Sequence, residues 1–336
     1  MRKINFIFII LLFAVSMQFF AGCTTPAPEA TAASFDLTQQ KWIGRCISYS
    51  GYREGQHPDK ALYPTQDQVL EDMKILEQNW VMIRTYGSDQ HSEDILEVIR
   101  RENIQLKVML GMWLDGAPKN PDDNEKQITT GIRLANEYKD IVVAVSVGNE
   151  ALVHWSNHKL PEEFVIQAVK RVKEAVEQPV TVADDFLYWR EHGQELAEVV
   201  DFVTMHTYPM WGKQDIDTAM PVTIEHFESV RDSLPGKTIV IGEAGWATYT
   251  VGELHAPRAG DETKQIRYFN ELMAWSKEND VNVFWFEAFD EPWKGTGTEG
   301  HWGLFTVHRK AKPVMQEWYP ELMPDGPTSP SYDETE

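Results

Sequence analysis

Residues 141–150 read Ile141-Val142-Val143-Ala144-Val145-Ser146-Val147-Gly148-Asn149-Glu150. Up to Val147 the run is apolar at nearly every position instead of at alternate ones. That pattern fits a strand covered on both faces, as strands of parallel sheets are. The run then stops at a glycine and delivers two polar side chains together.

The same unit recurs on either side of this stretch. Apolar runs predict strands over 44–49, 80–86, 105–112, 141–147, 179–183, 202–206, 238–241 and 281–286. Amphipathic helices alternate with them. Thr65 and Gln68 form a capping-box pattern ahead of the stripe Val69, Leu70, Met73 and Leu76. Similar stripes are Phe164, Val165, Ala168, Val169, Val172 and Val176; Ile224, Phe227, Val230 and Leu234; and Ile266, Phe269, Leu272 and Met273. No Pro/Gly-rich linker interrupts 42–320. About eight β/α units over about 280 residues predict a single (β/α)8 TIM barrel. A doubly wound open sheet would carry a Gly-rich phosphate loop after its first strand, and Gly44-Arg45-Cys46-Ile47-Ser48-Tyr49 is not one.

Composition narrows the function. The 336 residues carry 31 Lys+Arg against 52 Asp+Glu, a net charge of −21, which excludes the basic footprint of a nucleic-acid binder. Two cysteines exclude a disulfide scaffold and a Cys-rich zinc module. Cys46, inside an apolar run, reads as a small buried hydrophobe.

The N-terminus reads as an export signal. Arg2 and Lys3 precede an apolar stretch from Ile4 to Val15, and the small residues Ala21 and Gly22 follow. Phe20-Ala21-Gly22-Cys23 resembles a bacterial lipobox, with Phe20 in place of the usual Leu. The expected organisation is a lipoprotein signal peptide over 1–22, a flexible tether from lipidated Cys23 over 23–40, the barrel over 41–322, and an acidic disordered tail over 323–336. The protein is then an exported, membrane-anchored bacterial lipoprotein, expected to be monomeric.

A barrel places chemistry at the C-terminal ends of its strands. Those ends carry Ser48 and Tyr49; Arg84, Thr85 and Tyr86; Trp113 and Asp115; Asn149 and Glu150; Asp184 and Asp185; His206 and Tyr208; Glu243 and Trp246; and Glu287 with Glu291. Strands four and seven lie across the mouth, so Glu150 and Glu243 can face each other. Two opposed carboxyls are what glycosidic cleavage requires: one protonated to release the leaving oxygen, the other ionised to attack the anomeric carbon. Asp184 and Asp185 invite a metal reading, but nothing around them has metal-ligand spacing, and neither metal nor cofactor is expected.

Ile83-Arg84-Thr85-Tyr86-Gly87, Val147-Gly148-Asn149-Glu150, Ile241-Gly242-Glu243-Ala244-Gly245-Trp246, Phe286-Glu287-Ala288-Phe289-Asp290-Glu291-Pro292-Trp293-Lys294 and Trp302-Gly303-Leu304-Phe305 occur in that order. Together they resemble glycoside hydrolase family 17, in the fungal and bacterial branch of the retaining (β/α)8 glycosidases. The resemblance spans residues 42–305 and implies action on β-1,3-glucan with retention. It makes Glu150 the acid/base and Glu243 the nucleophile, and it places Glu291, Lys294 and Glu299 in a charged cluster beside the nucleophile. Like charges near Glu150 would keep it protonated, and Lys294 would keep a neighbouring carboxylate ionised. Asn149 would meet the sugar 2-hydroxyl, Tyr49, Tyr86 and Tyr208 would line the catalytic subsite, and Trp246, Trp293 and Trp302 would offer flat faces to sugar rings. Arg84 and His206 are expected behind these groups, His206 either touching sugar or satisfied in the core. Trp155, Trp189 and Trp211 read equally as sugar platforms or loop-packing residues. Two other functions remain open: a β-1,3-glucanosyltransferase using the same glutamates, and a non-catalytic glycan-binding lipoprotein, which would not need the pair.

Overall fold

The computed structural model describes residues 35–252, 256 and 258–332. The signal peptide and the lipidation site at Cys23 lie outside the described residues, as does the tether as far as residue 34.

Eight parallel strands form a closed barrel: β1 Cys46–Ser48, β2 Met82–Arg84, β3 Lys107–Met112, β4 Val142–Asn149, β5 Val180–Asp185, β6 Val203–His206, β7 Ile239–Ala244 and β8 Val283–Trp285. Each pairs with the next, and β8 closes on β1. All eight fall where apolar runs predict them. At β4, β5 and β7 the ladder continues past the apolar run, because the polar exit residues Asn149, Asp185 and Glu243 keep strand geometry while their side chains turn into the mouth.

The helices are α1 Gln66–Leu76, α2 Gln90–Arg101, α3 Asp123–Glu137, α4 Glu162–Ala175, α5 Phe186–Glu191, α6 Gln194–Val199, α7 Ile216–Ser233 and α8 Glu262–Glu278. Thr65 and Gln68 form the expected reciprocal cap of α1. Phe164 departs from its stripe: it is 40% exposed at the start of α4, while Val165, Val169 and Val172 turn inward. Two short helices, α5 and α6, share the connection after β5. Among the described residues, β8 is followed by 3-10 turns and no α-helix. Trp318 packs edge-on to Phe269 of α8, and the Tyr319 hydroxyl donates to the Ile75 carbonyl of α1 at 2.9 Å. This segment fills the place an eighth outer helix would take.

The barrel interior is apolar at one end and polar at the other. Phe35 and Leu37 cap the apolar end against Cys46, Met82, Met109, Phe202, Val240 and Phe284. Burial pushes the Cys46 thiol far up its scale, which suits the inert hydrophobe its surroundings predict.

The tail expected to be disordered over 323–336 makes contacts as far as Tyr332, and 333–336 lie outside the described residues. Through Tyr332 the chain lies against the segment that follows β7. Ser329 bonds Thr248 at 2.7 Å, and the Tyr332 hydroxyl accepts from the Thr250 N–H at 2.9 Å and donates to the Gly260 carbonyl at 2.8 Å. Composition shows the acids there, but the contacts come from hydroxyls meeting partners distant in sequence.

Candidate active site

The polar end of the barrel is organised around Glu243, in β7 and 5% exposed. Arg84, from β2, places its guanidinium 2.6 Å from one Glu243 oxygen and also donates to Asn149 Oδ1. The Tyr208 hydroxyl donates to the other Glu243 oxygen. His206, fully buried in β6, stands between the two glutamates: Nδ1 donates to Glu150 Oε1 at 2.9 Å and lies 3.6 Å from Glu243 Oε2. Gly242 makes this approach possible, since a Cβ there would lie 2.3 Å from Thr204 and 3.3 Å from the His206 ring.

Glu150 leaves β4 with φ +46, a left-handed conformation that follows Gly148 at φ +94. Its N–H donates to the Ala183 carbonyl at 2.9 Å, and His158 bonds the Asn149 carbonyl at 2.8 Å. Its side chain is about a third exposed, at 29%, whereas Glu243 is enclosed. One ligand atom from each of Glu150, His206 and Glu243 lies within 4.8 Å of the others. Arg84 already supplies fixed positive charge at this cluster.

The environment separates the groups electrically. Burial alone would raise the Glu243 pKa, but His206 and Arg84 together with the Tyr208 and Arg84 hydrogen bonds hold it below the ordinary carboxylate value. For His206, burial opposes the charge, yet Glu243 and then Glu150 raise its pKa. Tyr86 and Tyr208 are pushed well up by burial and by Glu243, so both stay neutral hydroxyls.

A second buried cluster adjoins the first. Lys294 lies 2.7 Å from Glu291 and 3.1 Å from Glu287, and Ser50 donates to the remaining Glu291 oxygen. Burial would raise Glu291, but Lys294 brings it below the usual range. The carboxylate that Lys294 keeps ionised is therefore Glu291, while Glu243 depends on Arg84 and His206.

These groups open into a cavity of about 1420 Å³. Tyr86, Asn149, Glu150, Tyr208, Glu243, Glu291, Lys294, Glu299 and Trp302 line it, with Trp113, Trp155, Trp211 and Trp293 along the walls. Arg84 and His206 stand behind the lining. One expectation fails. Trp246 is wholly buried, with its indole N–H on the Ala259 carbonyl at 3.0 Å and its ring against Tyr268, because the chain after Gly245 turns outward under α8. Tyr49 borders the cavity, but its hydroxyl is committed to Asp72 at 3.0 Å, a carboxylate clamped by Arg309. Trp189 also serves packing, donating to the Thr204 carbonyl at 2.9 Å.

Asp184 accepts N–H bonds from Leu152, Val153 and Asp185, and Asp185 caps α5 through Leu187. They shape the turn beside Glu150; burial, with Glu150 nearby, pushes both pKa values up to about 7. Sequence reasoning assigned no site role to Ser50, Tyr52, Tyr63, His91, Phe186 or His226, which also line the cavity. Ser50, Tyr52 and Tyr63 stand on connections, whereas His91 and Phe186 lie in the first turns of α2 and α5 and His226 within α7.

The family model of the BtgE/BtgC glycoside hydrolase domain matches residues 46–303. A putative glucan endo-1,3-beta-glucosidase btgC of Aspergillus niger is 29% identical over 279 residues, covering 75% of this chain and 40% of that protein. The chain thus spans about two fifths of that relative's length. An endo-laminarinase from Formosa is 29% identical with a TM-score of 0.74, covering 89% of this chain and 93% of that one. A glycoside hydrolase family 17 β-1,3-glucanosyltransferase from Rhizomucor miehei shares the fold, with TM-score 0.67, 23% identity and coverage of 82% and 97%.

Replacing Arg84 by Gln removes the buried charge from Glu243 while leaving the barrel core intact. Glu243 should then bind its proton at higher pH than in the unaltered protein, as read by carboxyl NMR titration of glutamate-labelled protein. An unchanged titration would mean that Arg84 does not govern this carboxylate.

Proposed function

The chain belongs to the BtgE/BtgC glycoside hydrolase family, and we propose that it is a retaining β-1,3-glucanase acting on laminarin-like glucan by double displacement. The observation that carries this reading is the approach of Glu150 and Glu243, whose nearest ligand oxygens lie within 4.8 Å. Retaining enzymes hold their carboxyls about 5–5.5 Å apart, whereas inverting ones leave about 6.5–9.5 Å for a water.

The two environments support the division of labour. Glu243, ionised and held from behind by Arg84 and Tyr208, attacks the anomeric carbon. Glu150 has one oxygen on His206, which leaves the other to carry a proton to the departing glycosidic oxygen. It then takes a proton from the incoming water. Asn149 has its amide oxygen occupied by Arg84, so its NH2 group is the part left to donate to the sugar 2-hydroxyl. The likeness to the Formosa endo-laminarinase supports the choice of glucan.

A glucanosyltransferase uses the same pair with a sugar as acceptor. The observation favouring it is that the cavity continues past Glu150 to Phe186, Trp211 and His226, leaving room for a second glycan. The protein is further proposed to be a lipoprotein anchored through Cys23. The described chain enters the barrel at Phe35 and Leu37, on the closed apolar end.

A time course on laminari-oligosaccharides of defined length separates the readings. Hydrolysis yields only shorter products, transfer yields longer ones as well, and no change overturns the β-1,3 assignment. Glu150→Ala should slow turnover of unactivated glucan by roughly 10²–10⁴-fold. On an aryl glucoside, azide should restore its rate and give a β-glycosyl azide; an α product would exclude double displacement. Cys23→Ser should shift the full-length protein from the detergent phase to the aqueous phase, and an unchanged partition would exclude the anchor.

A further inference from the structure

Glu287 has no place in the chemistry above. It follows β8, is 2% exposed and does not line the cavity, yet its carboxyl reaches the same ammonium as Glu291. Lys294 Nζ lies 3.1 and 3.3 Å from the two Glu287 oxygens and 2.7 Å from Glu291. Two buried carboxylates on one lysine, itself 17% exposed at the cavity wall, leave an uncompensated negative charge on the carboxylates, which the protein interior disfavours. Such a pair retains one proton between its members.

Geometry decides which member holds it. Glu291 receives the shorter Lys294 contact and the Ser50 hydroxyl, both of which stabilise a carboxylate. Glu287 has only the longer Lys294 contacts. We propose that Glu287 is a neutral positioning residue, donating its proton to Glu291 and accepting from Lys294. The ammonium then spends one N–H on each glutamate and presents its third to a sugar hydroxyl in the cavity, beside the Glu291 carboxylate. The backbone of Glu287 serves the same wall: its carbonyl accepts from the Leu304 N–H at 3.0 Å, next to Trp302. Burial and the Glu291 charge both act to keep the proton on Glu287.

Only the sugar contact rests on the glucanase reading; the proton assignment stands without it. The test therefore has two arms on the full chain. In the first, infrared spectra of protein with isotope-labelled glutamate are taken at neutral pH without substrate. The carbonyl stretch of a neutral acid should be present in the unaltered protein and diminished in Glu287→Gln. An undiminished band overturns the assignment, whatever the enzyme does. In the second, laminari-oligosaccharide kinetics compare two variants. Glu287→Ala should lower kcat/KM at least about tenfold, the scale of losing a hydrogen bond to a charged group, mainly through KM. Glu287→Gln, which keeps one neutral donor and one acceptor, should recover it to within about threefold. Equal losses in both variants would show that the negative charge is needed and overturn the proposal. An unaltered protein that fails to turn over any β-1,3-glucan yet shows the band would overturn the glucanase reading alone.

Discussion

The buried contact between Arg84 and Glu243 is the constraint on which the mouth of this barrel depends. Taking a guanidinium and a carboxylate out of water is expensive, and attraction between them offsets the cost only when the remaining hydrogen-bonding capacity is filled. Here Tyr208 takes the second Glu243 oxygen, Asn149 takes the second arm of Arg84, and His206 sits at both glutamates. The ring of strand ends β2, β4, β6 and β7 is thereby tied together through side chains. Removing any one partner leaves another buried polar group unsatisfied.

That network needs close approach, which explains several small residues. Gly242 leaves room for His206 and Thr204, and Gly111 lets β3 lie against the chain leaving β2, where a Cβ would meet the Thr85 carbonyl oxygen at 2.4 Å. The apolar end is the counterpart of this polar end. Phe35 and Leu37 close it against buried apolar side chains, and side chains carried on strands are held more precisely than those on loops. The reacting groups come from strands or the residue just beyond one. The aromatic walls come from connections, notably those after β1, β3, β6 and β8.

Much of the arrangement was legible before any coordinates. Continuous apolar runs marked all eight strands, because a parallel strand buried on both faces has no polar side to alternate with. The positions of Glu150 and Glu243 followed from the polar residues that end two of those runs. Side-chain direction beyond a strand was not legible. Trp246 and Trp302 both follow strand exits and looked alike as sugar platforms, yet only Trp302 lines the cavity. Tyr49 was placed correctly, but its hydroxyl belongs to Asp72, 23 residues on, through packing no local pattern encodes.

The sequence by itself determined the closed barrel, the end of it that carries chemistry, and the two glutamates that face each other there. Those depend on hydrophobic period and on strand order, both written locally in the chain. Only the tertiary structure decided which charge controls which carboxylate: Arg84 and His206 hold Glu243, while Lys294 holds Glu291 and reaches Glu287. The electrostatic state of a buried group depends on partners brought within a few ångströms by folding, and distance along the chain carries no record of that.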